Sequence, residues 1–594
     1  MKETVKNLEA LRAVMRSKHV SAVIVPGTDP HQSEYVNDHW KLRDWVTGFT
    51  GSNGTAVVTL DAAGLWTDSR YFLQAEIELA DSGVVLYKEE MPGEPTINEW
   101  LAEHLGENDV LAVDGRLFSL VQANRLEQFC GENGFRFAAD FDPFKDIYKD
   151  RPELPLDAIF EHEVKYAGES TESKISRVMA VVEKQGAEAL LLSALDEIAW
   201  IFNIRCNDVD YNPVAISYAY VSEDRNVLFI DPRKVDAKAA EYLKSFHIDV
   251  LPYDGLQDFL GKLKNVTIML DPNKTSDTVA RWILNCGVVY AASPVALPKA
   301  VKNEVQIEGT HKAMERDGVA LVKLYMWLEK AVAAGGVNEL DVAAKAIEFR
   351  SESPLYRGES FEMIPGYKEH GAIVHYSATK ESASELKPEG LLLVDTGAQY
   401  LDGTTDITRT VALGVPTEEE RHDYTLVLKG HVTLASAIYP EGTRGSQLDA
   451  LARQFLWKEC MTFWHGTGHG VGHFLNVHEG PQNIRLNENP TVLVEGMITS
   501  DEPGLYKTGK HGIRIENLIL ARNYRETEEF GKFMNFEVLT LFPYDSKLID
   551  VALLSDEELA WVNNYHKTVR ERLTPYLNAE QQAWLNEKTK ELKK

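Results

Sequence analysis

Two aspartates lie where apolar runs of the sequence end, a position that suits metal ligands. The run 391–394 (LLLV) ends on Asp395, and Asp406 follows a turn at residues 402–403. The pattern predicts a β-hairpin on which the two carboxylates face each other. Because ionised carboxylates repel, a cation between them is one interpretation. A pair of turn-capping aspartates is the other.

Histidines are concentrated in a glycine-rich segment. Four of the 17 in the chain are His465, His469, His473 and His478. The i, i+4 spacing of the first three is typical of a zinc-binding helix. However, glycine occupies every second position from 466 to 472, and each glycine costs a helix about 1 kcal/mol relative to alanine. The pattern therefore favours backbone packed closely beside a site, with an incidental glycine-rich surface loop as the alternative.

Further carboxylates follow in two short motifs. An apolar stretch ends at Asp501 and Glu502 before a Pro-Gly turn, so one of these acids is expected to point inward. In GIRIEN (512–517), strand alternation places Arg514 and Glu516 on one face, which by itself is also compatible with a structural ion pair. Carboxylates combined with imidazole favour hard cations such as Mn²⁺ or Mg²⁺. The set is large enough for two ions that share a water molecule.

The first half of the chain, which precedes these residues, contains an apparent internal duplication. A helical stretch followed by an apolar run occurs twice in the first half, and residues 109–114 (DVLAVD) resemble 266–271 (VTIMLD). This predicts two similar α/β domains in tandem. Prolines, charges and composition shifts then predict four domains. Their predicted ranges are 1–150, 151–305, 306–543 and 544–594.

Three long helices are predicted in the second half. One covers residues 308–334 and opens the segment that carries the candidate chemistry. Two more, 555–576 and 579–592, are rich in charge and aromatic residues. They could pack on the catalytic segment or on a partner subunit.

The charge balance restricts the classes of partner. There are 62 basic and 91 acidic residues, a net charge of −29. A general nucleic-acid binder needs a basic face for the phosphates, and an anionic membrane attracts basic segments. Neither kind of partner is expected.

Cysteine usage and hydropathy favour a cytoplasmic protein. The four cysteines are widely spaced and form no C-x-x-C motif, so neither a disulfide framework nor a cysteine-zinc site is expected. Charged residues interrupt the amphipathic start of the chain, which predicts a surface helix rather than a signal peptide. No apolar run approaches the length of a membrane span.

The order of these motifs resembles the metallopeptidases of the creatinase/methionine aminopeptidase ("pita-bread") fold. It is most similar to the three-domain aminopeptidase P family. The similarity extends over nearly the whole chain. The matching segments are VTGFTGSNGTAVVT (46–59), WTDSRYFL (66–73), LDEIAWIFN (195–203), GAIVHY (371–376) and FLNVHEGP (474–481). The implied fold class is α/β and α+β multidomain: two creatinase-type amino-terminal α/β domains followed by a pita-bread metallopeptidase domain.

The resemblance implies two divalent metal ions, with Mn²⁺ expected. Asp395 resembles a ligand of one ion, and Asp406 and Glu516 resemble the bridging carboxylates. His469 and Glu502 resemble ligands of the other ion, and Glu502 is also the implied general base.

The resemblance also implies roles around the metals. His375, His465 and His478 look like the histidines that bind the substrate carbonyl, stabilise the tetrahedral intermediate and transfer protons, with the individual roles left open. Arg514 would brace the site and contact substrate. His473 is not part of the implied site. The implied substrates are short peptides with an N-terminal Xaa-Pro sequence, and a homodimer is expected.

Three alternatives share this fold. An Xaa-Pro dipeptidase has the same ligands but blocks the pocket beyond proline. A methionine aminopeptidase lacks the two preceding domains. A non-catalytic peptide-binding module has lost the ligands, whereas all five ligand positions are filled here.

Overall fold

The computed structural model describes residues 2–594 and contains two compact units. The first consists of the chain up to Val164 together with Glu169–Ala296. The second consists of Lys165–Gly168 together with Leu297–Lys594. The domain boundaries at residues 150, 305 and 543 remain predictions.

The first unit contains two six-stranded sheets built in the same way. In each, a central strand pairs antiparallel with one neighbour and parallel with the other. The strands of the first sheet are, in spatial order, Val85–Lys88, Ala63–Thr67, Thr55–Thr59, Ala22–Pro26, Val110–Ala112 and Arg136–Ala138. Those of the second are Ile248–Leu251, Asn226–Phe229, Tyr218–Ser222, Ala189–Leu192, Thr267–Leu270 and Gly287–Tyr290.

This shared topology confirms the predicted duplication. The two segments matched by sequence, 109–114 and 266–271, contain equivalent strands beside the two central ones. The same unit contains a short two-stranded antiparallel sheet, in which Phe160–Glu161 pairs with Ile204–Arg205. The main helices of this unit are Glu3–Lys18, Leu42–Thr47, Phe72–Glu78, Ile97–His104, Leu120–Asn133, Thr171–Lys184, Leu195–Ile201, Ala237–Ser245, Leu256–Lys262 and Asp277–Arg281.

The second unit is built from small antiparallel sheets. One has the strands Ile364–Tyr367, Leu391–Thr396 and Ile407–Ala412, and another has Tyr356–Glu359, Ala398–Tyr400 and Gly403–Thr404. The largest has Tyr439–Pro440, Gly531–Val538, Asn517–Thr527 and Ile498–Asp501. Two strand pairs complete the set: Gly468–His469 with Asn483–Ile484, and Gly504–Lys507 with His511–Arg514.

Long helices cover these sheets. They are Glu304–Ala334, Glu339–Arg350, Glu418–Ala435, Gly445–Trp457, Asp556–Leu573 and Ala579–Lys588. The first starts four residues before the predicted position because Asn303 caps it through a reciprocal capping box with Gln306. The last two are shorter than predicted. Within residues 2–594, no helix is long and apolar enough to cross a membrane.

Candidate active site

The strand Leu391–Thr396 places Asp395 at the end of a buried run. All six of its residues are buried, and strands pair with it on both edges. The residue opposite Asp395 is Thr408, whereas Asp406 lies just before the returning strand. The two aspartates are therefore not opposite each other in the register, although burial, together with the charge of Asp406, raises the pKa of Asp395. Two short strands in the connection, Ala398–Tyr400 and Gly403–Thr404, pair with each other in the same register around a turn at residues 401–402.

The glycine-rich histidine segment is not a helix, as predicted, and Gly468–His469 forms a short strand within it. A Cβ atom on Gly468 would lie 1.9 Å from the Ser500 carbonyl oxygen, and one on Gly470 would lie 2.1 Å from that of Glu479. Only glycine permits such close backbone contact. This packing brings His469 alongside the strand that leads to Glu502, and the amide of Glu502 donates to the Thr467 carbonyl.

Three of the five predicted ligands converge on one point. Each of Asp406, His469 and Glu516 offers one ligand atom, and these three atoms lie within 4.8 Å of one another. The Nε2 atom of His469 is 3.4 Å from Asp406 Oδ2 and 3.5 Å from Glu502 Oε1. Glu502 therefore lies beside this group.

Asp395 is held at the site by an arginine. Arg514 Nη2 donates to Asp395 Oδ2 at 2.6 Å, and Arg514 is almost fully buried. Thr408, opposite Asp395 in the sheet, donates from its hydroxyl to Glu516 Oε2 at 2.7 Å. These contacts fix the directions of two carboxylates from different segments of the chain.

The electrostatics of the cluster favour a cation. Burial, together with repulsion from Asp406 and Glu502, raises the pKa of Glu516 well above its ordinary value. Burial also raises the pKa of Glu502 to about 7, although His469 and Arg514 partly offset it. Burial lowers the pKa of His469, but Asp406 and Glu502 outweigh this and raise that pKa to about 9. Positive charge at this point stabilises the ionised carboxylates.

Two carboxylate oxygens provide a direct test of whether metal ions fit. Asp395 Oδ1 and Asp406 Oδ1 are buried and have no hydrogen-bond partner among the described residues. Leaving a buried charged acceptor unpaired is costly, so such atoms call for a ligand. Oxygen donors with one imidazole suit a hard divalent cation. The residues therefore fit the metal site that the sequence predicts.

Three other histidines named in the sequence analysis lie in different surroundings. The His478 ring is 4.3 Å from that of His469, centroid to centroid, and edge-on to it. His375 lies in a turn, and the carbonyl of its neighbour Val374 accepts from Arg514 at 3.3 Å. His473 is buried elsewhere, with Nε2 3.2 Å from the Tyr166 carbonyl oxygen.

Tyr506 is a contact that the sequence analysis missed. Its hydroxyl lies 2.7 Å from His465 Nε2 and accepts from Arg514 Nη1 at 2.8 Å. It thus links a predicted substrate histidine to the arginine that holds Asp395. Its sequence position provided a partial indication, because Tyr506 lies in a short strand that follows the Pro-Gly turn after Glu502.

Comparison with known families agrees with this architecture. The Creatinase/Prolidase N-terminal domain matches residues 7–143 and, in a second version, residues 150–306. Metallopeptidase family M24 matches residues 308–523, and the C-terminal region of peptidase M24 matches residues 532–592. The predicted fold class is confirmed. Fold and site together define an M24 metallopeptidase with two creatinase-type amino-terminal domains.

Individual relatives narrow the class. Aminopeptidase P2 of Arabidopsis thaliana is 39% identical, over 97% of this chain and 86% of its own. A probable Xaa-Pro aminopeptidase P of Aspergillus niger is also 39% identical, over 100% of this chain and 99% of its own. The crystal structure of X-prolyl aminopeptidase from Caenorhabditis elegans, described as a cytosolic enzyme with a di-nuclear active site, superimposes with a TM-score of 0.95 at 32% identity, covering 100% of both chains. The chain belongs to the Xaa-Pro aminopeptidase P family.

Proposed function

We propose that this protein is a metal-dependent aminopeptidase that releases the N-terminal residue from peptides with proline in second position. The observation that carries the proposal is the convergence of Asp406, His469 and Glu516 on one point. Relatives that match nearly the full chain are named for this activity. The orphaned oxygens of Asp395 and Asp406 support a second ion in the same cluster.

The proposed ligand set assigns five residues to two divalent cations. Asp395 would hold one ion, Asp406 and Glu516 would bridge both, and His469 and Glu502 would hold the other. Mn²⁺ is the proposed metal, because carboxylate-rich sites suit it. A bound pair of this kind supplies an activated water nucleophile near neutral pH and polarises the scissile carbonyl.

The protein residues would then orient the reacting groups and transfer protons. Glu502, held by the Ser500 hydroxyl at 3.1 Å, would accept a proton from the attacking water. Among His375, His465 and His478, one would donate to the developing oxyanion. Another acid–base group would protonate the proline nitrogen as it leaves.

Arg514 has a separate proposed role. It would keep Asp395 ionised and aligned through their 2.6 Å contact, and it would contact substrate. Proline has no amide N–H in peptide linkage, so recognition of the second residue would rest on the ring and not on a donor.

The proposed specificity predicts which short peptides the protein cleaves. Metal-free protein is prepared with a chelator and supplied with Mn²⁺, and free arginine is measured. Arg-Pro-Pro should release arginine only with metal, whereas Arg-Ala-Ala should release none. Cleavage of both would remove the proline specificity. Cleavage of the dipeptide Arg-Pro but not of Arg-Pro-Pro would favour the dipeptidase alternative, and no cleavage by folded, metal-loaded protein would favour the non-catalytic module.

We propose further that the protein is a cytoplasmic homodimer. Two tryptophans of the second unit, Trp457 and Trp464, have 43% and 68% of their surface exposed. Large exposed aromatic side chains often mark contact surfaces. Sedimentation equilibrium should give twice the chain mass of 66.7 kDa. A single-chain mass across a wide concentration range would contradict the dimer.

A further inference from the structure

A buried carboxylate outside the metal cluster holds together the segment that carries His375. Glu339 is the first residue of the helix Glu339–Arg350, and its surface is 0% exposed. An acidic residue is favoured at a helix N-terminus. A fully buried one, however, needs partners elsewhere, because an uncompensated buried charge is unfavourable.

All the partners of the Glu339 carboxylate belong to one stretch of chain. At its beginning, the Tyr367 amide donates at 2.8 Å and the His370 Nδ1 atom lies 2.9 Å away. Further along, the Tyr376 hydroxyl donates at 2.9 Å, and the Ser384 amide donates at 2.8 Å. One side chain therefore ties the end of the preceding strand to the middle and the end of the segment that follows it, which we term the His375 loop (residues 368–384).

Ordinary strand pairing does not hold the middle of this loop. The strand Ile364–Tyr367 ends before it and Leu391–Thr396 begins after it. Within the loop, the Tyr376 ring packs in a small apolar cluster with Ile364 and Leu393, and it stacks on His370 at 4.3 Å. Both rings of this stacked pair contact Glu339.

His375 lies between two fixed neighbours. On one side the Val374 carbonyl accepts from Arg514, which also binds Asp395. On the other side the Tyr376 hydroxyl binds Glu339. A side chain between two anchored residues has little freedom to move away, and catalysis is sensitive to displacements of about 1 Å.

We propose that Glu339 is a positioning residue for His375. It fixes the loop so that His375 faces the metal cluster. Glu339 does not itself touch substrate. The inference rests on the proposed function, because it takes His375 to contact the substrate.

The surroundings of the two ring donors favour their protonated forms. The Glu339 carboxylate raises the pKa of His370, against the effect of burial. Burial raises the pKa of the Tyr376 phenol. Hydrogen bonds to an ionised acceptor are stronger than neutral ones. Both shifts favour the forms that donate to Glu339.

A double-mutant cycle tests the proposal. Glu339→Gln keeps the side-chain shape but removes the charge and puts a donor where an acceptor stood. In the metal-loaded full chain, it should lower kcat/KM for Arg-Pro-Pro by about 10- to 100-fold and leave the metal content unchanged. In the His375→Ala background, the same substitution should change kcat/KM by less than about twofold, because its effect passes through His375.

Matched variants and a second measurement keep the outcome clear. Ser377→Ala removes an exposed hydrogen bond from the same loop to Glu362 and should leave kcat/KM unchanged. Tyr376→Phe removes one donor to Glu339 and serves if Glu339→Gln fails to fold. Amide hydrogen exchange of residues 373–378 should be faster in Glu339→Gln, a readout that needs no activity.

Three outcomes would overturn the proposal: unchanged kcat/KM in Glu339→Gln, unchanged exchange, or an equal loss in both His375 backgrounds. The last would mean a general structural role. Failure of the unsubstituted protein to cleave Arg-Pro-Pro would count against the proposed function alone, because the exchange measurement would still report on the loop.

Discussion

Replacing Asp406 with Asn should lower kcat/KM for Arg-Pro-Pro by about a thousandfold or more and reduce the number of bound metal ions. Asp406 lies 3.4 Å from His469 and shares the convergence point with Glu516. An amide offers one neutral oxygen in place of a negatively charged carboxylate, so it would be a weaker ligand for a divalent cation. Steady-state kinetics and elemental analysis of the purified protein measure the two effects.

A neighbouring aspartate provides the matched control. Asp402 lies four residues before Asp406 and forms an ion pair with Arg316, away from the convergence point. Asp402→Asn makes the same chemical change and should retain both metal ions and most of the activity. Full metal content in Asp406→Asn, or equal losses in the two variants, would contradict the assignment of Asp406.

Much of this site could be predicted from sequence because strand ends leave a local signal. A buried strand requires an apolar run, so an acid directly after such a run is positioned by that strand. Asp395 was found in this way, whereas the choice of Glu502 over Asp501 came from the family resemblance. The alternating glycines were informative for a related reason. Only backbone without a Cβ can approach the Ser500 carbonyl oxygen as Gly468 does.

Other features could not be predicted because they depend on contacts between distant segments. The partner of Asp395 across the sheet is Thr408, because the turn that sets the register lies at residues 401–402. The pairing of Tyr506 with His465 joins residues 41 positions apart. Side-chain spacing along one strand specifies a face, but it does not specify which residue of another segment lies opposite.

The same limit applies to the carboxyl-terminal helices, whose packing partner was left open. Tyr565, in the helix Asp556–Leu573, lies with its hydroxyl 3.0 Å from Arg409 Nη2. Arg409 in turn donates to the Glu516 carbonyl at 2.6 Å. The carboxyl-terminal region therefore packs on the strand next to a proposed metal ligand, and Arg409 is the residue that joins them.

Arg409→Met should cause the largest loss of stability in the second unit, about 3–5 kcal/mol. The guanidinium is 1% exposed, and it donates to five carbonyl or amide oxygens and to the Tyr565 hydroxyl. Methionine fills part of the space but leaves these buried acceptors without a donor. The apparent unfolding midpoint in urea measures the change, with hydrogen exchange in Asp556–Leu573 showing where the structure loosens.

Arg421→Met separates this network from the general effect of losing an arginine. Arg421 is half-buried and its side chain donates one hydrogen bond, to the Ile549 carbonyl at 3.2 Å, so removing that side chain should cost only about 1 kcal/mol. If Arg409→Met also weakens metal binding, the carboxyl-terminal helices support the site through Glu516. If it destabilises the unit without changing metal affinity, they support the fold alone. Equal losses of stability in the two arginine variants would mean that the buried hydrogen bonds of Arg409 do not hold this region together.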